Sequence, residues 1–336
     1  MKAAVIRGRG VIEVVDRPVP EPQPGWVRLA MGSVGICGTD LHLINGLLSD
    51  ATGLQPGHEV AATVDALGDG VTLETGSRVA VEPIHACGTC YHCRTGSHNR
   101  CERSRLFGVT ARGGMAEYLT VPAQCLHVLS RDLAFDVAAL SEPMAVAVRG
   151  VRLGRISPGD RVAVLGAGTI GLVSILAARA AGAEEVIATA RYPQQRDLAT
   201  SLGAARTFAD SAALLAAAGG EVDVVIETVG GHADTIADAV GIVRRGGTIV
   251  MLGVFDGSPA IPGLAFSTKE LTLVGSNCYG RERMLGDFAL ATRLVDRNRS
   301  LLAPLVTHRF GLDEIAKAYA TAADKKSGAV KVQIGL

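Results

Sequence analysis

The stretch "DRVAVLGAGTIGLVSILAARAAGA", residues 160–183, leaves a chain few ways to fold. The run "VAVL" is apolar without alternation, as in a strand buried on both faces of a parallel sheet. Gly166-Ala167-Gly168-Thr169-Ile170-Gly171 then fits G-x-G-x-x-G, and a Leu- and Ala-rich helical stretch follows. The alternation continues with "EVIATA" as strand, "QQRDLATSLGA" as helix and "VDVVIETVG" as strand. "ADTIADAVGIVRRGG" reads as a helix ending in glycines and "TIVMLGV" as the next strand. Strands and helices in this order imply a doubly wound parallel sheet of the Rossmann kind.

The flanking sequence has a different grammar. Up to about residue 146, short Val/Ile/Ala runs alternate with Gly, Pro and Asp turns, as in "EVAATVDALGDGV" and "GSRVAVEP". That spacing predicts a β-rich, barrel-like domain with few long helices. After "ELTLVGS" the strand–helix pattern loosens. "RMLGDFALATRLVDRNRS" reads as amphipathic helix, and "KSGAVKVQIGL" ends in a strand. One nucleotide-binding unit, 147–276, is therefore expected inside a second domain made of 1–146 and 277–336. The 336 residues suffice for both. A 48% hydrophobic content with 41 glycines suits helices packed closely on a parallel sheet.

The glycine turn follows a buried strand and opens a helix, the context in which this motif binds a dinucleotide. The glycines allow a tight turn, close approach of backbone to pyrophosphate, and close helix–strand packing. The helix start supplies free N–H groups and the positive end of the helix dipole. An NAD site places Asp or Glu at the end of the second strand to take the ribose hydroxyls. Here that position is Ala190, followed by Arg191 and Tyr192. A carboxylate would repel a 2′-phosphate, whereas a small residue followed by Arg accepts one. The reading is NADP(H) in preference to NAD(H), with Arg196 one helical turn further assisting. Thr228, Leu252, Gly253, Ser276 and Asn277 fall at strand ends and are expected near the nicotinamide. Lys331 is a candidate for the pyrophosphate.

Seven cysteines, an odd number with four clustered, fit a metal in a reducing compartment better than a disulfide framework. Cys87, Cys90, Cys93 and Cys101 follow C-x2-C-x2-C-x7-C within the lobe 85–102. Four thiolates complete a tetrahedral zinc site. An iron–sulfur cluster uses similar spacings, but nothing else in the chain suggests electron transfer. With four sulfurs present, His85, His92 and His98 read as ordinary loop residues. A closed site also has no room for substrate, and a catalytic zinc needs an open position. Cys37 in "VGICGTDLH" and His58 and Glu59 in "PGHEVAA" offer a second donor set.

"GICGTDLH", "GHE", the four-cysteine lobe, "GGMAEYLTVP", "SEPMAVAVRG" and "GAGTIG" occur in the order found in zinc-dependent medium-chain alcohol dehydrogenases. The chain resembles that family over essentially its whole length. It is most similar to the sorbitol-like polyol and threonine dehydrogenase branch, which carries Glu in the "SEP" segment. The resemblance implies a GroES-like catalytic domain around the Rossmann unit. It implies two zinc ions per chain and a homodimer or homotetramer. Cys37 and His58 would be catalytic zinc ligands, and Glu59 a direct or exchangeable one. Glu142 would be the fourth ligand or would hold a zinc-bound water. Asp40 would orient His58, and Thr39 and His42 would relay the substrate proton to solvent. Ala62 departs from the family, which usually has Gly three residues after the Glu of "GHE". Ile44, Leu106, Phe107 and Tyr279 are candidate substrate walls.

The charge balance, 33 basic against 33 acidic residues without a long run of either sign, gives nucleic acid or an anionic membrane no footprint. No apolar run is long enough to span a bilayer, and "MKAAVIRGRGVIEVVDRP" lacks the apolar core of a signal peptide. A soluble, cytoplasmic protein is expected. Two rival readings are weaker. A zinc-free quinone or enoyl reductase on the same fold would lack the Cys37/His58 set and the lobe. A zinc module binding nucleic acid would show a basic, aromatic surface. The expected substrate is a secondary alcohol or ketone with neighbouring hydroxyl or amino groups: a polyol, cyclitol, amino-cyclitol or amino alcohol.

Overall fold

The computed structural model describes residues 1–47, 50–281 and 283–336. The chain forms two compact units, Met1–Glu142 with Gly280–Leu336, and Pro143–Tyr279. The first crossing falls inside the helix Ser141–Leu153, so no linker composition marks it.

In Pro143–Tyr279, six parallel strands lie in one sheet. Their order is Arg206–Phe208, Glu185–Thr189, Arg161–Leu165, Val222–Glu227, Val243–Met251 and Thr272–Gly275. The winding reverses between Arg161–Leu165 and Val222–Glu227, and a crevice at such a reversal is where doubly wound sheets bind ligands. These two central strands are almost wholly buried, as their unbroken Val/Ala/Ile/Leu runs require. One expectation is corrected here. "VRRGG" does not close a helix: the helix Thr235–Ile242 stops at Ile242, and Val243 already pairs with Val222. Burial of Val243 in that sheet outweighs the local helical pattern.

The other unit centres on the eleven-residue strand Trp26–Ile36. Its sheet runs Val306–Gly311, Lys331–Gly335, Trp26–Ile36, Glu59–Leu67, Arg78–Val81, Leu126–Val128, with Tyr118–Pro122 also paired to Trp26–Ile36. The last segment of the chain therefore supplies two strands to the sheet begun by the first. Val332 pairs antiparallel with Ile36, and Gly35 with Glu59. These registers bring the ends of three neighbouring strands together at Lys331, Ile36 and Glu59. Val34, Ile36, Val60, Val81 and Ile334 lie in the apolar core behind them.

Candidate active site and metal centres

Cys37 follows the strand Trp26–Ile36 and precedes the helix Gly38–Ile44, and His58 directly precedes the strand Glu59–Leu67. Antiparallel pairing sets the two loops side by side. One ligand atom from each of Cys37, His58 and Glu59 lies within 4.8 Å of the other two. His58 and Glu59 are buried, and Cys37 is half-buried. Glu59 needs the glycine opposite: a Cβ on Gly35 would run into Glu59 Oε2. Asp40 is wholly buried, and its Oδ2 accepts the Cys37 N–H at 2.8 Å. Its Oδ1 faces His58 Nδ1 at 3.7 Å. Neither of these two buried atoms makes a hydrogen bond within the described residues.

Burial alone would lower the His58 pKa, but negative charge at Asp40, then Cys37 and Glu142, pulls it well above the ordinary value. Groups that can carry negative charge thus face this buried imidazole from several sides. The soft sulfur, imidazole and carboxylate suit zinc. Glu142, at the head of Ser141–Leu153, is buried and acts on His58 through its charge, but stands outside the three-residue donor group. Thr39 and His42 lie three apart on the helix Gly38–Ile44, hence on one face. Thr39 Oγ1 is 3.8 Å from Cys37 Sγ.

Lys331 requires a correction. It is not a surface residue reaching for pyrophosphate: it is 2% exposed. Its ammonium donates to both Glu59 oxygens at 2.7 Å and to the Ile36 carbonyl at 3.0 Å. Burial by itself would lower its pKa, yet Glu59, with Cys37 behind it, raises it above the usual value. Ile44 and Phe107 belong to the apolar core of this unit, Phe107 stacking on His85. Leu106 is half-buried, and Tyr279, in the other unit, is fully buried.

The sulfurs of Cys87, Cys90, Cys93 and Cys101 also converge within 4.8 Å, with no histidine among them. Hydrogen bonds from the backbone at Thr89 and Cys90 bring the Cys87 thiol down to about 5. Burial and the adjacent sulfurs push Cys93 up to about 12. His98 is more than a loop residue. It is buried, with Nε2 2.6 Å from Glu82 Oε1, while His127 Nε2 and Arg281 Nη2 reach Glu82 Oε2 at 3.0 and 2.7 Å. His85 packs edge-on against Trp26, and His92 against Tyr91.

In the nucleotide unit, Gly166 takes φ +95°, and a Cβ on Gly171 would collide with the Gly166 carbonyl. Positions 166 and 171 therefore require glycine. Gly168 precedes the helix Thr169–Ala180, so Thr169 and Ile170 open it. The Gly166 N–H donates to Thr189 Oγ1 at 2.8 Å, a support that motif reading missed because Thr189 lies at the end of the neighbouring strand. Thr228 Oγ1 donates to the Leu165 carbonyl at 2.8 Å and so braces the same turn. Ala190 is buried and Arg191 exposed. Arg196 turns inward, its Nε donating to the Ala190 carbonyl at 3.0 Å. Tyr192 precedes the helix Pro193–Ser201, and Gln195 Oε1 accepts its N–H. Leu252 and Gly253 follow the strand Val243–Met251, and Ser276 and Asn277 follow Thr272–Gly275. The Ser276 N–H donates to the Met251 carbonyl.

No helix among the described residues is long and apolar enough to cross a membrane. Residues 23–131 match the alcohol dehydrogenase GroES-like domain family, and residues 169–294 the zinc-binding dehydrogenase family. The chain is 35% identical over 330 residues to L-arabinitol 4-dehydrogenase of Aureobasidium melanogenum, covering 93% of this chain and 87% of that one. It is 34% identical to L-galactonate-5-dehydrogenase of Escherichia coli strain K12, with 90% of each covered. A Sinorhizobium meliloti 1021 protein assigned as a zinc-binding dehydrogenase and solved bound to NADP superposes with a TM-score of 0.90. It is 32% identical, with 100% of this chain and 99% of that one covered. The chain belongs to the zinc-dependent medium-chain alcohol dehydrogenases, in their sorbitol- and threonine-dehydrogenase-like branch, and is an NAD(P)-dependent alcohol oxidoreductase.

Proposed function

We propose that this enzyme interconverts a secondary alcohol of a polyol or polyhydroxy acid and the corresponding ketone, using NADP(H) in preference to NAD(H). The carrying observation is the Cys37–His58–Glu59 donor group, with His58 and Glu59 buried, at one sheet end and separate from the four-cysteine lobe. Named relatives that act on L-arabinitol and L-galactonate support the substrate class. Cys37, His58 and Glu59 would hold the catalytic zinc, with Glu142 beside them. Cys87, Cys90, Cys93 and Cys101 would hold a structural one. When bound, that catalytic zinc supplies a Lewis acid for the hydroxyl or carbonyl oxygen, and the nicotinamide supplies the hydride acceptor or donor.

The chain's own residues do the rest. Asp40 fixes the loop that carries Cys37 by accepting its amide proton. Thr39 and His42 carry the hydroxyl proton outward along one helix face, a task that suits imidazole because its two ring nitrogens can accept and donate. The helix start at Thr169 and Ile170 takes the pyrophosphate. Exposed Arg191 takes the 2′-phosphate, while Arg196 holds the Ala190 carbonyl in place. The test is a panel of pentitols, hexonates, cyclitols, amino alcohols and simple secondary alcohols, each assayed with NADP and with NAD. Turnover is expected on vicinal polyols, best with NADP, and Arg191→Ala should raise KM for NADP(H) about tenfold more than for NAD(H). Activity confined to simple monohydric alcohols would refute the substrate class. Equal effects on both cofactors would refute the NADP reading.

A further inference from the structure

Glu227 ends the central strand Val222–Glu227, at the winding reversal of the nucleotide sheet. It is completely buried. A carboxylate withdrawn from water must be compensated by hydrogen bonds or opposite charge. Three donors converge on its Oε1: the Val229 N–H at 2.7 Å, the Gly230 N–H at 3.0 Å and the Thr235 hydroxyl at 2.8 Å. They fix the backbone of the turn after the strand and tie it to the start of the helix Thr235–Ile242. The Glu227 backbone carbonyl accepts the N–H groups of Leu252 and Gly253, at 2.9 and 3.1 Å. Its Oε2 is buried without a hydrogen bond among the described residues and lies against Gly253, where a Cβ would run into it. The next residue, Thr228, braces Leu165 and Gly166 through its hydroxyl. Three loops at the carboxyl end of one sheet thus take their positions from one residue and its neighbour: the glycine turn, the turn 228–230 and the turn at 252–253.

We infer that Glu227 is a positioning residue for the dinucleotide: its buried carboxylate holds the turn 228–230, from which Thr228 braces the glycine turn against which the cofactor seats. The inference rests on the reading that the 166–171 turn receives the pyrophosphate. It does not depend on which nicotinamide cofactor is used, because Arg191 and Ala190 lie on a different strand end. Loss of the carboxylate should therefore weaken NADPH and NADH by the same factor.

The experiment is fluorescence titration of the zinc-loaded protein with NADPH and with NADH, comparing wild type with Glu227→Ala, Glu227→Gln and Thr235→Val. Glu227→Ala is expected to raise both dissociation constants tenfold or more. Glu227→Gln keeps one oxygen acceptor for the three donors and should recover to within about threefold of wild type. Thr235→Val removes one donor and should raise both constants about threefold, which keeps the test decisive if Glu227→Ala does not fold. A purely structural role would lower the melting temperature and leave the dissociation constants of folded protein unchanged. Constants within twofold of wild type in Glu227→Ala, or in Thr235→Val if the former is unfolded, would overturn the inference alone. An effect on NADPH without one on NADH would overturn it as well. A wild-type chain that binds neither nucleotide would overturn the underlying reading of the turn and this inference with it.

Discussion

Lys331 and Glu59 form an ion pair with both partners almost fully buried, and the carboxylate is shared with a donor group suited to zinc. A zinc held there would compete with the Lys331 ammonium for one anion. Removing one member of a buried pair strands the other, typically at about 3–5 kcal/mol. Lys331→Met should therefore destabilise the metal-free protein by about that much. With zinc loaded, the Glu59 charge keeps a cationic partner, and the loss should be clearly smaller. Urea unfolding of chelator-treated and zinc-loaded protein measures both, and equal losses in the two states would remove Glu59 from the zinc site. None of this was legible in the sequence. A lysine near the chain end reads as solvated until its partner, 272 positions away, is known. Cys37 and His58 were legible because each sits in a short motif whose local register decides where it points.

The cysteine lobe is held at the scale of elements. Glu82, just past the strand Arg78–Val81, receives His98 from the lobe, His127 from Leu126–Val128, and Arg281 from the returning segment. The Arg281 N–H also donates to the Gly96 carbonyl inside the lobe. Burial would raise the Glu82 pKa, but the bonds from His127 and His98 and the charge of Arg281 outweigh it and hold the carboxyl far below its ordinary 4.5. Its stabilisation is therefore complete above pH of about 4.5 and is lost as pH falls toward the lower folded value. Glu82→Gln should lower stability by on the order of 3 kcal/mol at neutral pH. The gap to wild type should narrow as pH falls below about 4.5, where the paired carboxylate starts to be lost. Thermal melts of the two proteins across that range read the gap, and one that widens in acid would contradict the assignment. Spacing alone identified the four cysteines as one cluster. It gave His98 no role, because a histidine in a loop looks the same whether its acceptor is water or a buried carboxylate.

At the scale of the molecule, the alternation of strand and helix and the glycine turn were enough to place a doubly wound sheet inside a split β domain. What stayed hidden were the long-range supports, Thr189 under Gly166 and Lys331 beside Glu59, since neither contact leaves a periodic trace. The two donor groups also make opposite demands on metal retention. Three of the four lobe cysteines are half-exposed, whereas His58 and Glu59 are buried. If access governed release, the lobe would lose its zinc first. Coordination argues the reverse. Four thiolates close a tetrahedral site and bind zinc by about 10–16 kcal/mol. Three mixed donors leave a position through which a chelator can enter and displace the ion stepwise. Ligand completeness should win, because a bidentate chelator needs an open coordination position more than it needs an exposed residue. Brief treatment with dipicolinate should thus remove one zinc per chain and abolish turnover, with little change in melting temperature. A mercurial that attacks thiolates should then release the second zinc, lower the melting temperature sharply and expose 85–101 to protease. Metal analysis alongside activity and melting measurements follows each step. A first zinc whose loss melts the protein and leaves turnover intact would reverse the two assignments.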